Sequence, residues 1–309
     1  MGVVLEVVAP VFALIALGFV MKRRGVIAQE GFRGLDKFTF AIAAPALLFA
    51  GGTSAQNAGG AGAAVAFLAG ALAVYAAGMA FARGGLRLPL GESGLFALNC
   101  AFGNSVMMGV PLILAAFGQA GLSVLLAILA LHSLVLLGLA TVIAEVGLNA
   151  HAPVARMLRA TVLGMARNPV LVAVALALVW SALSLPVPAV VRRTLEFVGA
   201  AGPPVALVCL GASLVGLDAR AGWRETAATT AAKLALMPAI TWAACIALGL
   251  GPLETAVAVT TAALPTGANA FILAQRYATG ADRSGAAVVV STALSVLTLS
   301  ACIGFFRPG

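Results

Sequence analysis

The chain has 309 residues, of which 62% are hydrophobic and only 9% are charged, and its formal net charge is +8. Soluble domains carry about 25% charged residues, so this composition excludes a soluble enzyme and a secreted disulfide scaffold. It also argues against a nucleic-acid-binding protein, because the basic residues lie in short gaps between apolar runs and do not form one polar face. The apolar runs lack the alternation of transmembrane strands. The composition therefore predicts an all-α integral membrane protein.

Ten apolar runs follow one another along the chain, each close to the roughly 20 residues that a helix needs to cross a bilayer. Pro45 interrupts the second run and the Pro203-Pro204 pair interrupts the seventh, an irregularity that neighbouring helices can accommodate. The ten predicted spans are 3–21, 37–53, 61–82, 93–116, 121–147, 162–183, 195–216, 226–248, 254–276 and 284–306.

The basic residues are distributed unevenly between the two sides of these spans. Fifteen of the eighteen Lys and Arg residues lie in or beside the gaps that follow odd-numbered spans. By the positive-inside rule these gaps are cytoplasmic, which places both termini on the outer side of the membrane. The same alternation supports the count of ten, because a missing or additional span would disrupt it.

Two segments of the chain resemble each other weakly and indicate an internal repeat. Residues 35–54 and 194–213 both have an acid after Leu, then a Pro-small-Leu core and a Gly and Ser near the end. The predicted halves are 1–148 and 162–309, joined by a cytoplasmic linker at 149–161. Because each half has five spans, the second half enters the membrane from the opposite side, which is the inverted-repeat plan of many secondary transporters. Chance similarity between two apolar helices is the alternative.

The fourth span of each half contains helix-breaking residues at matching places. Span 4 carries GNSVMMGVP, which ends at Pro111, and span 9 carries LPTGANA around Pro265. Interrupted spans at corresponding positions are the best sequence pointer to a transporter's binding site. Their half-helix ends can hold an anion, and the amides of Asn104 and Asn269 can bind a carboxylate or hydroxyl. The alternative is that both prolines only kink their helices for packing.

Other polar residues lie inside the apolar runs. Asn99, Ser105 and Thr266 are weaker candidates for lining the same site. Lys233, in the first turns of span 8, either extends to the cytoplasmic interface or is a buried cation that attracts an anionic substrate or pairs with an acid. His132, in the middle of span 5, suits an interhelical hydrogen bond better than proton coupling, although both interpretations stay open.

Six motifs in a fixed order resemble the auxin efflux carrier family of membrane transporters, which includes plant PIN-type carriers and bacterial malonate-transporter-like proteins. The resemblance covers nearly the whole chain, and the short linker between the halves is similar to that of bacterial members. The motifs are PVFALIALGFVMKRRGVI (10–27), LDKFTFAIAAPALLF (35–49), FGNSVMMGVPLILAAFG (102–118), NPVLVAVALAL (168–178), KLALMP (233–238) and ALPTGANAFILAQRY (263–277).

The resemblance implies ten transmembrane helices with both termini outside. It implies a scaffold domain of spans 1, 2, 6 and 7 and a transport domain of spans 3–5 and 8–10. Spans 4 and 9 would cross at Pro111 and Pro265 beside the substrate, and the transport domain would move like an elevator in a homodimer that contacts through the scaffold. Substrates of the family are mainly organic anions such as malonate, malate and auxin.

Together these observations predict a secondary carrier for a small organic anion in the bacterial cytoplasmic membrane, surrounded by lipid. A membrane-embedded enzyme is less favoured, because the sequence has no HExxH, paired Asp or GxSxG motif. A passive channel or a structural membrane subunit is the other alternative. We expect no cofactor and no metal site, and coupling to protons, sodium or membrane potential stays open because no acidic cluster lies within the spans.

Overall fold

The computed structural model describes residues 2–54, 60–148, 163 and 166–306, and these residues are almost entirely helical. Within this part of the chain the one pairing of strand type is an isolated antiparallel bridge between Gly103 and Thr266. The all-α class is thereby confirmed. The predicted linker 149–161 lies outside the described residues, as does most of the beginning of the sixth predicted span.

Helices occur in all ten predicted segments. Three short π-helices continue into the α-helices that follow them: π1 (Thr39–Ala43), π2 (Ser105–Gly109) and π3 (Ala232–Leu236). The α-helices in chain order are α1 (Gly2–Arg23), α2 (Gln29–Phe38), α3 (Ala44–Ser54), α4 (Ala61–Gly84), α5 (Leu90–Ala101), α6 (Val110–Leu148), α7 (Pro169–Ala182), α8 (Ala189–Ala200), α9 (Gly202–Ser213), α10 (Trp223–Ala231), α11 (Met237–Ala247), α12 (Pro252–Ala262), α13 (Ala268–Arg276) and α14 (Ala281–Phe306).

Several of these helices are suited to a membrane. Six continuous helical stretches of the described chain are long and apolar enough to cross one, and α7 is a shorter apolar helix. The chain is therefore a multi-pass membrane protein. The six stretches are Gln29–Thr53, Ala61–Gly84, Ser105–Gly147, Ala189–Ser213, Trp223–Ala247 and Ala281–Phe306.

Gly118 divides the long helix α6 into two parts. Its backbone has φ 63° and ψ −159°, which is not helical and is readily adopted only by glycine. The preceding part of α6 belongs to predicted span 4 and the following part to predicted span 5. The predicted gap between these spans, residues 117–120, contains this glycine, which the residue pattern alone does not single out.

The interruption of span 4 lies upstream of its proline. Residues 102–104 are not helical, whereas Pro111 is the second residue of α6. A proline removes its own N–H and clashes with the carbonyl four residues before it, so its effect falls on the preceding turn, which here is π2. In span 9 the non-helical residues are 263–267 and Pro265 lies among them.

The helices pack in two sets with different neighbours. Helix α1 packs along α9, and α3 packs on α7 and α8, whereas α4, α5, α6, α11 and α12 pack among themselves. Glycine allows the closest of these approaches, because a Cβ on Gly211 of α9 would overlap the backbone of Ile15 on α1. The first set comes from predicted spans 1, 2, 6 and 7 and the second from spans 3, 4, 5, 8 and 9, whereas α14 of span 10 also contacts α1. The division into scaffold and transport domains stays a prediction.

Candidate functional site

The two helix interruptions meet each other. Gly103 and Thr266 form the antiparallel bridge. The backbone N–H of Asn104 donates to the Pro265 carbonyl at 2.9 Å, and the N–H of Gly267 donates to the Phe102 carbonyl at 2.9 Å. Non-helical backbone in a membrane protein must find partners within the protein. Each interruption therefore satisfies polar groups that the other leaves open.

This pairing brings the two backbone segments so close together that one position must be glycine. A Cβ on Gly267 would lie 2.8 Å from Cδ1 of Phe102 and 2.9 Å from the Gly103 carbonyl oxygen. A Cβ on Gly103 would lie 3.4 Å from Cε of Lys233, which is an ordinary contact. Glycines lie near both prolines in the sequence, but only the paired backbones distinguish the role of Gly267 from that of Gly103.

A small pocket opens on one side of the paired interruptions. It has a volume of about 30 Å³, which is room for about two water molecules. Four of the predicted site residues line it: Asn104, Ser105, His132 and Asn269. The other lining residues, which sequence reasoning missed, are Phe40, Phe102, Gly103, Val106, Met107, Leu129, Ser133, Gly267 and Ala268.

Two polar side chains of this pocket are buried without a hydrogen-bond partner. Asn104 is 5% exposed and its Nδ2 is unpaired, and His132 is 1% exposed with both ring nitrogens unpaired. The imidazole is fixed by aromatic neighbours, since it stacks on Phe102 at 4.3 Å between centroids and meets the edge of Phe67 at 5.3 Å. A buried unpaired donor costs free energy, and a bound acceptor would remove that cost.

A helix N-terminus adds to the donors at the pocket. Helix α13 begins at Ala268, and no side chain caps its N-terminus at Gly267. The first N–H groups of a helix carry a partial positive charge. Asn269 lies in this first turn, is exposed, and lines the pocket. The chemistry of the pocket therefore favours an acceptor or an anion, since no carboxylate is among its lining residues.

Lys233 lies behind the paired interruptions and does not line the pocket. Its side chain is fully buried, so it does not extend to an interface. The ammonium group donates to the carbonyl of Ala262, the last residue of α12, where the partial negative charge of a helix C-terminus favours a cation. Only Gly103 separates it from the pocket, because a Cβ there would lie 3.5 Å from both Nζ of Lys233 and Oγ of Ser105.

The remaining predicted residues hold the interruptions in place. The Thr266 hydroxyl donates to the Asn99 carbonyl at 3.0 Å, and the Thr266 backbone N–H donates to Ser291 Oγ at 3.0 Å. Asn99 donates from Nδ2 to Ser284 Oγ at 2.7 Å and to the Leu95 carbonyl at 2.9 Å. Neither Asn99 nor Thr266 lines the pocket, and of their side-chain polar atoms only Asn99 Oδ1 is left without a partner.

The two predicted prolines contribute through the backbone. The Pro265 carbonyl accepts from Asn104 N–H, as described above. Pro111 lines a separate narrow gap, which it shares with Pro203 and Gly202 from the start of α9. Neither proline lines the pocket itself.

Charged and polar contacts at the helix ends join the elements that carry the site. Arg283, at the start of α14, pairs with Glu92 of α5 and with Glu225 of α10. Beyond the end of α13, Tyr277 donates to Glu145 Oε1 at 2.9 Å. Burial and this carboxylate raise the pKa of Tyr277 to about 12, so the hydroxyl keeps its proton at neutral pH. In the described part of the chain, no three His, Cys, Asp or Glu side chains come together as a metal site would require.

Comparison with known proteins places the chain among membrane transporters. A protein of Rhizobium meliloti (strain 1021) named "Putative malonate transporter" is 26% identical over 330 aligned positions, which cover 100% of this chain and 98% of that protein. The family model described as "Membrane transport protein" matches residues 3–303. Both indicate a membrane transporter and not an enzyme. The chain belongs to this membrane transport protein family, the auxin efflux carriers that its motifs resemble.

Proposed function

We propose that this protein is a secondary transporter of small organic anions, and that the anion binds in the pocket beside the paired interruptions of spans 4 and 9. The observation that carries the proposal is the meeting of two broken helices next to the unpaired side chains of Asn104 and His132. Matched broken helices with open donors are how secondary transporters build their binding sites.

The proposed architecture is ten spans in two inverted five-span repeats, 1–148 and 162–309, with spans 4 and 9 crossing at the site. The antiparallel direction of the Gly103–Thr266 bridge supports it, because the fourth spans of inverted repeats run in opposite directions. The two packing sets support a scaffold of spans 1, 2, 6 and 7 and a transport domain of the others. We propose a homodimer through the scaffold, in the bacterial cytoplasmic membrane, with both termini outside.

The pocket offers an anion several donors and one nearby charge. The donors are the amide of Asn104, the N–H of His132, the amide of Asn269 and the N-terminus of α13. Lys233 contributes a positive charge from behind Gly103 without contact to the substrate. Hydrogen bonds to charged groups are the stronger ones, so a carboxylate would be preferred over a neutral acceptor of the same size.

In this conformation the pocket is too small for the substrate, so transport requires it to open. Its volume of about 30 Å³ is far below the 300 Å³ or more of typical ligand pockets. Phe40, on π1, is its one lining residue from the scaffold helices. An elevator movement of the transport domain would carry the paired interruptions away from Phe40 and widen the pocket on that side.

Malonate is the first substrate to test, because it is in the name of the Rhizobium meliloti relative. The experiment is uptake of labelled malonate into proteoliposomes that contain the purified chain, followed by a panel of other carboxylates. Imposed pH, sodium and voltage gradients identify the coupling. Saturable uptake with counterflow is expected, whereas linear and non-saturating flux would indicate a passive channel.

Asn104→Ala tests the site directly. It removes a hydrogen bond to a charged group, worth about 1.5–3 kcal/mol, so the apparent KM is expected to rise about 10- to 150-fold. Asn168→Ala is the matched control, since Asn168 caps α7 by accepting from the Val170 N–H at 3.0 Å and lies outside the pocket. If Asn104→Ala and Asn269→Ala both leave KM and rate unchanged in folded protein, the proposed site is wrong.

A further inference from the structure

A second cavity, much larger than the first, lies between α4, α5 and the helix formed by α10, π3 and α11. Its volume is about 590 Å³, and its lining side chains are all apolar. One wall comes from residues 74–81 of α4 and the other from residues 228–239, where most side chains are Ala. Phe96 and Cys100 of α5 form the floor. We call this cavity the alanine groove.

The alanine groove is closed at one end and open at the other. A Cβ on Gly70 of α4 would lie 2.6 Å from Oγ1 of Thr241 on α11, so the two walls touch there. Toward the C-terminus of α4 they separate, and Phe81 at that end is 47% exposed. The wall at 228–239 is about 16 Å long at 1.5 Å per residue, which is about half of the roughly 30 Å hydrocarbon core. The groove thus has the depth of one leaflet.

Three arginines lie close in the chain to the lining residues at the open end of the groove. Arg83 is on α4, two residues after Phe81, Arg87 lies just beyond the end of α4, and Arg224 lies one turn before the first lining residue of α10; all three are exposed. Arg83 donates to the Leu88 carbonyl at 2.9 Å, and Arg224 lies 5.5 Å from the ring of Trp223. The carboxylates Glu92 and Glu225 share one partner, Arg283. Together the four arginines and two carboxylates carry a net charge of +2.

The alanine groove has the depth of one leaflet, which suits an acyl chain, and the arginines near its open end suit an anionic headgroup. We propose that the alanine groove binds one acyl chain of an anionic phospholipid, whose phosphate is held by Arg87 and Arg224 at the groove's open end. Exposed Trp223 beside the arginines is the kind of residue that lies at headgroup level, and juxtamembrane Lys and Arg attract anionic lipids.

This lipid would touch the element that carries Lys233. The groove is lined by Ala232, Ala235 and Leu236 of π3, and its floor residue Cys100 is buried beside the same helix. An acyl chain would fill the space that these short side chains leave. The lipid would then act as a structural wedge that keeps α4 and π3 at their observed separation.

The test is native mass spectrometry of the full chain in mild detergent, mixed with equal amounts of phosphatidylglycerol and phosphatidylcholine of the same acyl length. We expect one phosphatidylglycerol to be retained in preference to phosphatidylcholine. Ala235→Leu and, on the opposite wall, Ala77→Leu fill the groove and should each lower retention at least fivefold. Ala243→Leu, at an exposed position on α11 outside the groove, should leave retention unchanged.

The arginines are tested separately. The double variant R87Q/R224Q should lower phosphatidylglycerol retention about fivefold or more, toward the phosphatidylcholine level, because each basic residue near an anionic headgroup contributes. Equal retention in Ala77→Leu, Ala235→Leu and Ala243→Leu, or unchanged headgroup preference in the double variant, would overturn the proposal. The proposal would also be overturned if the wild type had the mass of a dimer and Ala235→Leu had the mass of one chain. In that case the groove would hold a second copy of the chain.

Discussion

The two helix interruptions differ in how they are held, although they pair with each other. In span 9, Thr266 is fixed from behind by Asn99 and Ser291 through its hydroxyl and its N–H. In span 4, Asn104 is held by its backbone bond to Pro265, and its side-chain nitrogen is left without a partner in the pocket. The interruption of span 9 therefore acts as a support, and the interruption of span 4 presents an unpaired donor.

This difference teaches where to look for recognition in a pair of broken helices. A polar side chain whose bonds are all made within the protein sets geometry, and its loss lowers stability. A buried donor without a partner lowers the stability of the fold, and other interactions offset that cost. Such a donor is available to bind a ligand. Because Asn104 and His132 are unpaired and also line the pocket, we propose them as recognition residues and Thr266 as a positioning residue.

The largest expected effect comes from separating the two interruptions. Gly267→Ala places a methyl group 2.8 Å from the Phe102 ring and 2.9 Å from the Gly103 carbonyl oxygen, so the paired backbones must move apart. We expect transport to fall about a hundredfold, since small displacements of a reacting or binding group have effects of that size. Stability should fall by about 1–3 kcal/mol.

Gly34→Ala is the matched control for this change. No atom lies within 4 Å of a Cβ at this exposed position of α2, which is outside the pocket. The activity should therefore stay within about twofold of the wild type, and the melting temperature within about two degrees. Equal tolerance of both alanines in proteoliposome uptake and thermal unfolding would mean that the pairing is not needed for transport.

A smaller effect is expected from removing the charge behind the site. Lys233→Met keeps the length of the side chain but deletes the ammonium that lies beside Gly103. We expect the affinity for a carboxylate to fall about tenfold, equivalent to about 1.4 kcal/mol, while the melting temperature is unchanged or higher, because burying an ammonium is costly. Anion binding by calorimetry and thermal unfolding measure the two effects. A large loss of stability with normal affinity would make Lys233 a structural residue only.

The smallest effect is expected at the support itself. Thr266→Val keeps the shape of the side chain and removes the hydroxyl that donates to Asn99. The free energy of unfolding should fall by about 1 kcal/mol, with KM for the anion changed less than threefold. A KM change as large as that of Asn104→Ala would show that both interruptions contact the substrate, and the distinction between support and recognition would be wrong.

Much of the candidate site was predictable from the sequence. The residue pattern alone did not give the exact position of the span 4 interruption or all of the residues that line the pocket. The matched Pro, Gly and Asn residues indicated both interruptions, because these residue types disturb helices in a way that is visible locally. The displacement of the first interruption to 102–104 could not be read from Pro111, since the pairing with span 9 selects where the backbone opens. Phe40 and Ser133 carry no local signal and were missed.

The sequence by itself determined the membrane class, the family and the residue types that interrupt spans 4 and 9, because hydropathy, charge placement and proline chemistry act over a few residues. Only the tertiary structure decided which polar side chains stay open. Asn99 and Thr266 look as suitable for binding as Asn104, but their side-chain donors are already bonded. Asn99 Nδ2 donates to Ser284 on α14, and the Thr266 hydroxyl donates to the Asn99 carbonyl on α5, both distant in the chain. Whether a buried donor is satisfied depends on such distant contacts, so it cannot be read from local sequence.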